Sequence, residues 1–527
     1  MKKINLQKNK FLISLAAGAL GSLAFAPLHI FILAPIALSV FYFLLDGAAK
    51  RKEIFWLGFA FGFGHFLVGI YWIAISLLVD AASFAWLIPF ALTLIPSALA
   101  LYLALFALLY KFCVSKFKLN FSYQKILTFA LLWVIFEILR SLLFTGFPWN
   151  LLGYIWMFDE HFAQSASIFG IYGLSFFAVL ICLLPTLFFD KKPNKIFATI
   201  LVTLFVTNAV YGYLRVDDSK IVTNPKTKLR LVQGNIKQEM KWDAQEKYKN
   251  LLKHIELTNS KSLDDISAVI WSETAVPYVI EEGSELLAKL RQATPPEGVL
   301  ITGALRLGYF DESKTQISNA WNSVFTLNQS GISNTYDKHH LVPFGEYIPL
   351  QNYVPFVEKI TEGAMGFSEG EGAQTLAAQG FSFSPLICYE VIFSDEILNK
   401  NSRPDLFVNV TNDAWFGKSS GPYQHFDMSK MRAIEYAIPM ARVANTGITA
   451  FIDPFGRVIN KINLNQSGFI DVNLVSSLAP TIYEKYKYIP LVLLFVATVL
   501  LLIILPKSSN VVRQNHANRR AHRGKTS

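Results

Sequence analysis

A chain of 527 residues with 53% hydrophobic side chains, only 16% charged ones and 44 Phe is too long for one ordinary domain and too apolar for a water-soluble fold. Its formal charge of +10 lies mostly in short loops between apolar blocks, so the charge reads as a topology signal and removes nucleic acid from the expected partners. Cys113, Cys182 and Cys388 fall in segments of different character, which excludes a disulfide framework or a cysteine metal cluster.

Roughly 20 apolar residues are needed per membrane crossing. In chain order the apolar blocks run Phe11 to Pro27, Ile30 to Leu45, Ile54 to Val79, Phe84 to Tyr110, Ile126 to Phe144, Phe162 to Phe189, Ile196 to Tyr213 and Ile489 to Leu505. Eight spans are expected; a hairpin dipping into one leaflet is the alternative for the short first pair. No small-residue cleavage site with a polar start follows the first block, so it reads as a retained span. Lys2, Lys3, Lys8 and Lys10 precede it, Lys50, Arg51 and Lys52 follow the second block, and Lys111 to Lys125 and Lys191 to Lys195 fill two later loops. A basic tail follows the last block, while the connections around Asp80 and from Thr145 to Glu160 carry no Lys or Arg. That alternation predicts cytoplasmic termini, with the stretch from Leu214 to Tyr488 on the opposite side.

The resulting division is a seven-span domain (1–213), an exported domain (214–487), an eighth span (488–506) and a basic cytoplasmic tail (507–527). Within the exported domain, short β-branched runs alternate with amphipathic stretches. Strands are expected at Leu229 to Gln233, Ala268 to Trp271, Val299 to Gly303, Trp321 to Leu327, Ser384 to Cys388, Leu406 to Val410 and Thr449 to Asp453. Helices are expected at Asp243 to Asn259, Glu285 to Ala293, Asp395 to Lys400 and His425 to Ile438. Interleaved strands and helices predict an α/β layered domain inserted into a multi-span helical membrane bundle. The glycine-rich stretch from Lys359 to Gln374 is too long for a routine connection and reads as a mobile lid or as a plain surface loop.

Three residues carry the chemistry worth testing. Cys388 ends the apolar run Pro385-Leu386-Ile387 and is followed at once by Tyr389 and Glu390. A lone strand cysteine is most often an inert buried residue, but a strand that stops in a Tyr-Glu pair presents its sulfur to a turn. Glu273 closes Ala268-Val269-Ile270-Trp271-Ser272; at the mouth of an apolar strand it is a solvated end charge or a base. Lys338 lies eight residues before Glu346. His339 and His340 are adjacent, which is not zinc-ligand spacing, and no metal is expected.

Together the segments Ile270-Trp271-Ser272-Glu273-Thr274, Tyr336-Asp337-Lys338-His339-His340-Leu341-Val342-Pro343-Phe344-Gly345-Glu346 and Leu386-Ile387-Cys388-Tyr389-Glu390 resemble the nitrilase superfamily. The resemblance covers Leu229 to Val472 and implies an α-β-β-α sandwich with Glu273, Lys338 and Cys388 as the catalytic set. With the membrane blocks, Gln233-Gly234-Asn235-Ile236, Trp242 and Asn412-Asp413-Ala414-Trp415-Phe416-Gly417 included, the whole chain is similar to the apolipoprotein N-acyltransferase family of Gram-negative inner membranes.

That resemblance implies acyl transfer without a cofactor. The donor is a phospholipid, the acceptor a diacylglyceryl-modified apolipoprotein, and the setting the lipid of the inner membrane. It implies a supporting role for Glu346, pocket roles for Tyr389 and Glu390, and lipid contacts at Trp242, Phe344 and Trp415, where buried core aromatics are the alternative. A monomer is expected. A membrane-tethered amidase and a non-enzymatic lipid-binding protein are the competing readings.

Overall fold

The computed structural model describes residues 9–190, 194–311, 313–314, 316–349 and 366–504. The basic tail, the outermost N-terminal lysines and the 359–365 half of the glycine-rich stretch lie outside the described residues. One compact unit is drawn from Met1–Tyr71, Leu92–Tyr213 and Lys485–Ser527, and the other from Trp72–Ala91 and Leu214–Glu484.

In the first unit the apolar blocks are helical but unequal. Ala81–Lys116, Ser122–Thr145, Ala166–Phe189 and Lys195–Arg215 are long and apolar enough to cross a membrane, while Lys10–Ala24, Leu33–Gly47 and Ile489–Ile504 are apolar but shorter. The expected block from Ile54 to Val79 bends by 45° between the helix Arg51–Gly69 and the turns Tyr71–Leu78. The cause is a side chain from elsewhere: Asn150 Nδ2 donates to the Gly69 carbonyl at 3.1 Å, occupying an acceptor that a further helical turn would use.

The short first helix is held by close backbone approach. A Cβ at Gly18 would lie 1.9 Å from the Phe61 carbonyl oxygen, and one at Gly64 2.0 Å from that of Leu15. Glycine therefore lets the helices Lys10–Gly21 and Arg51–Gly69 pack with their backbones in contact. The stretch between Thr145 and the turn Leu152–Phe158 is anchored by two ionisable residues. Glu137 accepts from the Trp133 indole at 3.0 Å and from the Leu152 amide at 2.7 Å, while Arg140 donates to the carbonyls of Phe147 and Trp149. Irregular backbone among apolar helices requires such partners, because its polar groups have no water to turn to.

Among the described residues the second unit carries thirteen strands: β1 (Thr223–Gln233), β2 (Ala268–Trp271), β3 (Val276–Val279), β4 (Val299–Tyr309), β5 (Ile317–Leu327), β6 (Ile332–Asp337), β7 (Leu376–Ala378), β8 (Phe381–Ile387), β9 (Leu406–Thr411), β10 (Met440–Ala444), β11 (Thr449–Ile452), β12 (Val458–Ile462) and β13 (Gly468–Val475). One sheet runs β13-β1-β2-β4-β5-β6, with β3 added on β4, and the other runs β12-β11-β10-β9-β8-β7. The central pairs β1/β2, β2/β4, β8/β9 and β9/β10 are parallel, and antiparallel strands finish each sheet.

The period of two in the strands sorts side chains between layers. On β2, Ala268 and Ile270 enter the core between the sheets with Phe383, Val408 and Phe451. Val269 and Trp271 point the other way, into a second core with Leu251, Ile255, Leu287 and Leu290 of the helices Lys247–Asn259 and Glu285–Leu290. The helix Gly421–Tyr436 packs beside β10 of the second sheet. The domain is the expected α-β-β-α sandwich.

Two local expectations fail. No helix forms from Asp395 to Lys400: the run into Asn399, Asn401, Ser402 and Pro404 favours turns, and Asn399 Oδ1 accepts from the Asn401 amide at 2.8 Å. The strand expected through Cys388 stops at Ile387.

Candidate active site

Cys388 has φ 52°, in the left-handed region that L residues rarely occupy, and it opens the tight turn Cys388–Ile392. The reversal explains the early end of β8, since no extended strand contains that torsion. Glu390 secures the turn: Oε2 accepts from the Ile387 amide at 2.6 Å, and Oε1 from the Tyr336 hydroxyl at 2.9 Å and the His339 amide at 2.8 Å. Glu390 is fully buried, and His339 follows Lys338, so this carboxylate ties the cysteine turn to the lysine segment. Burial pushes its pKa up, but the His339 ring and the Ile387 amide outweigh that and hold it below the usual range.

Glu273 lies two residues beyond β2, with its Oε1 accepting from Asn322 Nδ2 at 2.8 Å. The same amide donates to Glu346 Oε1 at 3.1 Å, and Lys338 Nζ meets both Glu346 oxygens at 2.9 and 2.8 Å. Glu273, Lys338 and Glu346 are all buried. Burial opposes the Lys338 charge, but Glu346, Glu273 and Cys388 outweigh it and raise the lysine pKa, so the ammonium is permanent. The Cys388 thiol is pushed up by burial and by Glu273, with Lys338 and Thr411 opposing. At neutral pH the sulfur therefore rests as a thiol and needs a base to become a nucleophile.

A second buried network lies under the turn. His425 Nε2 is 3.2 Å from the Cys388 carbonyl oxygen, its Nδ1 is 2.9 Å from Asp413 Oδ1, and Arg442 donates to Asp413 Oδ2 at 2.7 Å. A carbonyl only accepts, so Nε2 carries a proton and holds the strained peptide in place. Burial would raise Asp413, but Arg442 and His425 hold its pKa at about 2.

The sequence candidates therefore fall into two groups. Glu273, Lys338, Glu346, Cys388 and Glu390 form one connected cluster, and the Tyr389 ring packs beside it on Phe393 with centroids 5.1 Å apart. Trp242 is half-buried under Lys247, Phe344 is exposed with φ 62°, and Trp415 is half-buried in the turn Asp413–Phe416.

Sequence reasoning passed over Asn322, Lys241, His425 and Arg442. A polar Asn322 beside Trp321 in a strand that ends Val324-Phe325-Thr326-Leu327 was a signal for the first, and Asp413 within a quoted motif was a signal for the His425 network. Among the described residues no group of three or more His, Cys, Asp and Glu is placed to hold a metal. His339 and His340 are engaged by Glu390 and Glu396.

The described end of the glycine-rich stretch is pinned to this cluster. The Phe367 amide donates to the Glu346 carbonyl at 2.9 Å, and the Gly370 amide to that of Lys338 at 2.9 Å. A Cβ on Gly370 would lie 2.1 Å from the Asp337 carbonyl. Gly370→Ala is accordingly expected to displace the lysine segment, lowering turnover by about ten-fold or more. A stopped assay on the purified variant checks this; unchanged turnover would show that the contact yields without moving Lys338.

The family model described as the apolipoprotein N-acyltransferase N-terminal domain matches residues 17–184, and the carbon-nitrogen hydrolase model matches 228–483. An apolipoprotein N-acyltransferase of Rickettsia prowazekii (strain Madrid E) is 39% identical over 498 residues, which cover 93% of this chain and 97% of that protein. The chain belongs to the apolipoprotein N-acyltransferase family. A second family member, from Rhodopseudomonas palustris, is 38% identical over 519 residues, covering 94% and 95% of the two chains.

Among solved structures, a carbon-nitrogen hydrolase superfamily protein of Xanthomonas campestris with an arsenic adduct in its active site is 18% identical. It covers 47% of this chain and 89% of that one, with a TM-score of 0.35. As an apolipoprotein N-acyltransferase family member, the chain joins a carbon-nitrogen hydrolase sandwich to a helical region of apolar spans.

Proposed function

We propose that this acyltransferase moves a fatty acyl chain from a phospholipid, through a thioester on Cys388, to the α-amino group of the diacylglyceryl-modified N-terminal cysteine of an apolipoprotein. That step completes maturation of the lipoprotein. The reading rests on one observation above all: a buried hydrogen-bonded line Glu273–Asn322–Glu346–Lys338, tied to the Cys388 turn by Glu390, which accepts from the Ile387 and His339 amides.

In the first half-reaction Glu273 takes the thiol proton and the sulfur attacks the ester carbonyl carbon of the phospholipid. Lys338 and the backbone N–H after Cys388 stabilise the oxyanion, each such donor contributing about 2.7–4 kcal/mol. The C–O bond breaks, the alkoxide recovers the proton from Glu273, and lysophospholipid departs. In the second half-reaction the acceptor amine attacks the thioester carbonyl. Glu273 takes the amine proton and returns it to the leaving sulfur, which leaves an amide. A thioester suits the task because it survives long enough to meet an amine and remains reactive toward it.

The setting follows from the substrates. Drawing acyl chains into water costs about 0.8 kcal/mol per methylene, which a site at a membrane surface avoids. We place the enzyme in the bacterial inner membrane with eight spans. Both termini then face the cytoplasm, and the domain from 214 to 487 lies in the periplasm. It acts as a monomer, with Tyr389 and Glu390 shaping the pocket and Trp242, Phe344 and Trp415 meeting lipid.

Intact mass after incubation with phosphatidylethanolamine in detergent tests the reading. A fatty acyl mass shift on Cys388 is expected, discharged on adding a diacylglyceryl-modified peptide with a free amine. Glu273→Gln is expected to acylate about 10²–10⁴-fold more slowly. An unmodified Cys388 alongside turnover of soluble amides would replace this reading with a tethered amidase.

A further inference from the structure

Lys241 is a buried cation that the proposed chemistry leaves without a task. It closes the one-turn helix Gln238–Lys241, is 4% exposed, and donates from Nζ to the backbone carbonyl of Glu273 at 3.0 Å. Among the described residues it forms no ion pair. An ammonium desolvated without a carboxylate partner costs several kcal/mol, so its retention calls for a compensating use.

The backbone it grips is strained. Thr274, next to Glu273, has φ 44°, and Gly303 is pressed so close that a Cβ there would stand 2.3 Å from the Thr274 nitrogen. Behind this turn is a cavity of about 10 Å³ lined by Lys241, Ser272, Thr274, His254, Asn250 and Asn445. Ser272 Oγ and His254 Nε2 are buried there with no protein partner among the described residues. His254 Nδ1 faces the Asn250 carbonyl at 2.9 Å, so it carries the proton and Nε2 presents a lone pair. Burial keeps His254 neutral by holding its pKa at about 4. The cavity thus offers an acceptor, a hydroxyl and the remaining N–H groups of an ammonium, which suits one water molecule.

We infer that Lys241 is a positioning residue for acyl transfer: with one water shared with Ser272 and His254, its charge holds the Glu273 carbonyl and the strained turn so that the carboxylate faces Cys388. The groups that face it are Glu273 after β2, Cys388 after β8 and His254 on the helix Lys247–Asn259. Burial brings its own pKa down to about 8, with Glu273 and Cys388 opposing, so most of it is charged at pH 7.

This inference rests on Glu273 acting as the base, and the test separates the two. Single-turnover acylation of the full-length enzyme by phosphatidylethanolamine is followed by intact mass, with thermal melting alongside. Lys241→Gln keeps a donor for the carbonyl and removes the charge; Lys241→Met removes both at similar volume. Both are expected to lower the acylation rate at saturating phospholipid by about ten-fold or more, with the half-saturating concentration unchanged. The Met variant should melt close to the parent temperature, so that a fall in rate reports lost positioning and not lost fold. If Lys241→Gln acylates within two-fold of the parent while Glu273→Gln is inactive, the inference is overturned and the base assignment stands. Normal acylation by Glu273→Gln overturns both.

Discussion

Cys388→Ala is expected to abolish the acyl-enzyme and to reduce N-acylation by about a thousand-fold or more, with little change in melting temperature. The two readouts separate because the sulfur supplies reactivity and the turn supplies structure. Alanine keeps the Cβ, and the left-handed backbone at 388 is held from outside by Glu390 on one side and by His425 on the other. Cys388→Ser should be nearly as inactive, since a carboxylate base is far too weak to ionise a hydroxyl and the ester it would form reacts sluggishly with amines. Intact mass and peptide N-acylation on the same preparation check this. Persistent N-acylation by Cys388→Ala would move the acyl carrier away from Cys388.

Lys338→Met should fail twice, in chemistry and in stability. Removing the ammonium leaves Glu346 buried without its counter-charge, and breaking such a pair costs about 3–5 kcal/mol. It also removes an oxyanion donor, worth on the order of 10²–10³ in rate. The double variant with Glu346→Gln is expected to recover much of the stability and none of the rate. Melting curves in detergent set against single-turnover acylation give both halves. A double variant as unstable as Lys338→Met alone would mean that the loss comes from packing of the lysine stem and not from the orphaned carboxylate.

How far these residues were legible in the sequence depended on the range of the forces that place them. The strand β2 appeared as the short apolar run Ala268 to Trp271, because local composition marks a buried strand. Glu273, Lys338 and Cys388 were weak signals singly, and their shared motif contexts carried them. Asn322 was different. Its role is to offer one amide to two carboxylates, 49 and 24 residues away in sequence, and no spacing rule records such a bridge. Lys241 was hidden for the same reason, since its partner is a backbone carbonyl 32 residues on.

By itself the sequence determined the apolar blocks, the alternating basic loops, the two-faced strands of a sandwich and the motif triplet of acid, lysine and thiol. The first three follow from composition or short-range pattern, where hydrophobic burial acts residue by residue, and the triplet follows from its resemblance to the nitrilase motifs. Tertiary structure alone decided where those patterns give way. Asn150 captures the Gly69 carbonyl and bends a helix that composition would continue. Glu390 and His425 hold Cys388 in a torsion that its own strand would refuse. Asn150 and His425 are polar groups from distant segments that meet backbone atoms the local ladder leaves, and Glu390 ties its own turn to the distant His339, so folding supplies the proximity that the chain order lacks.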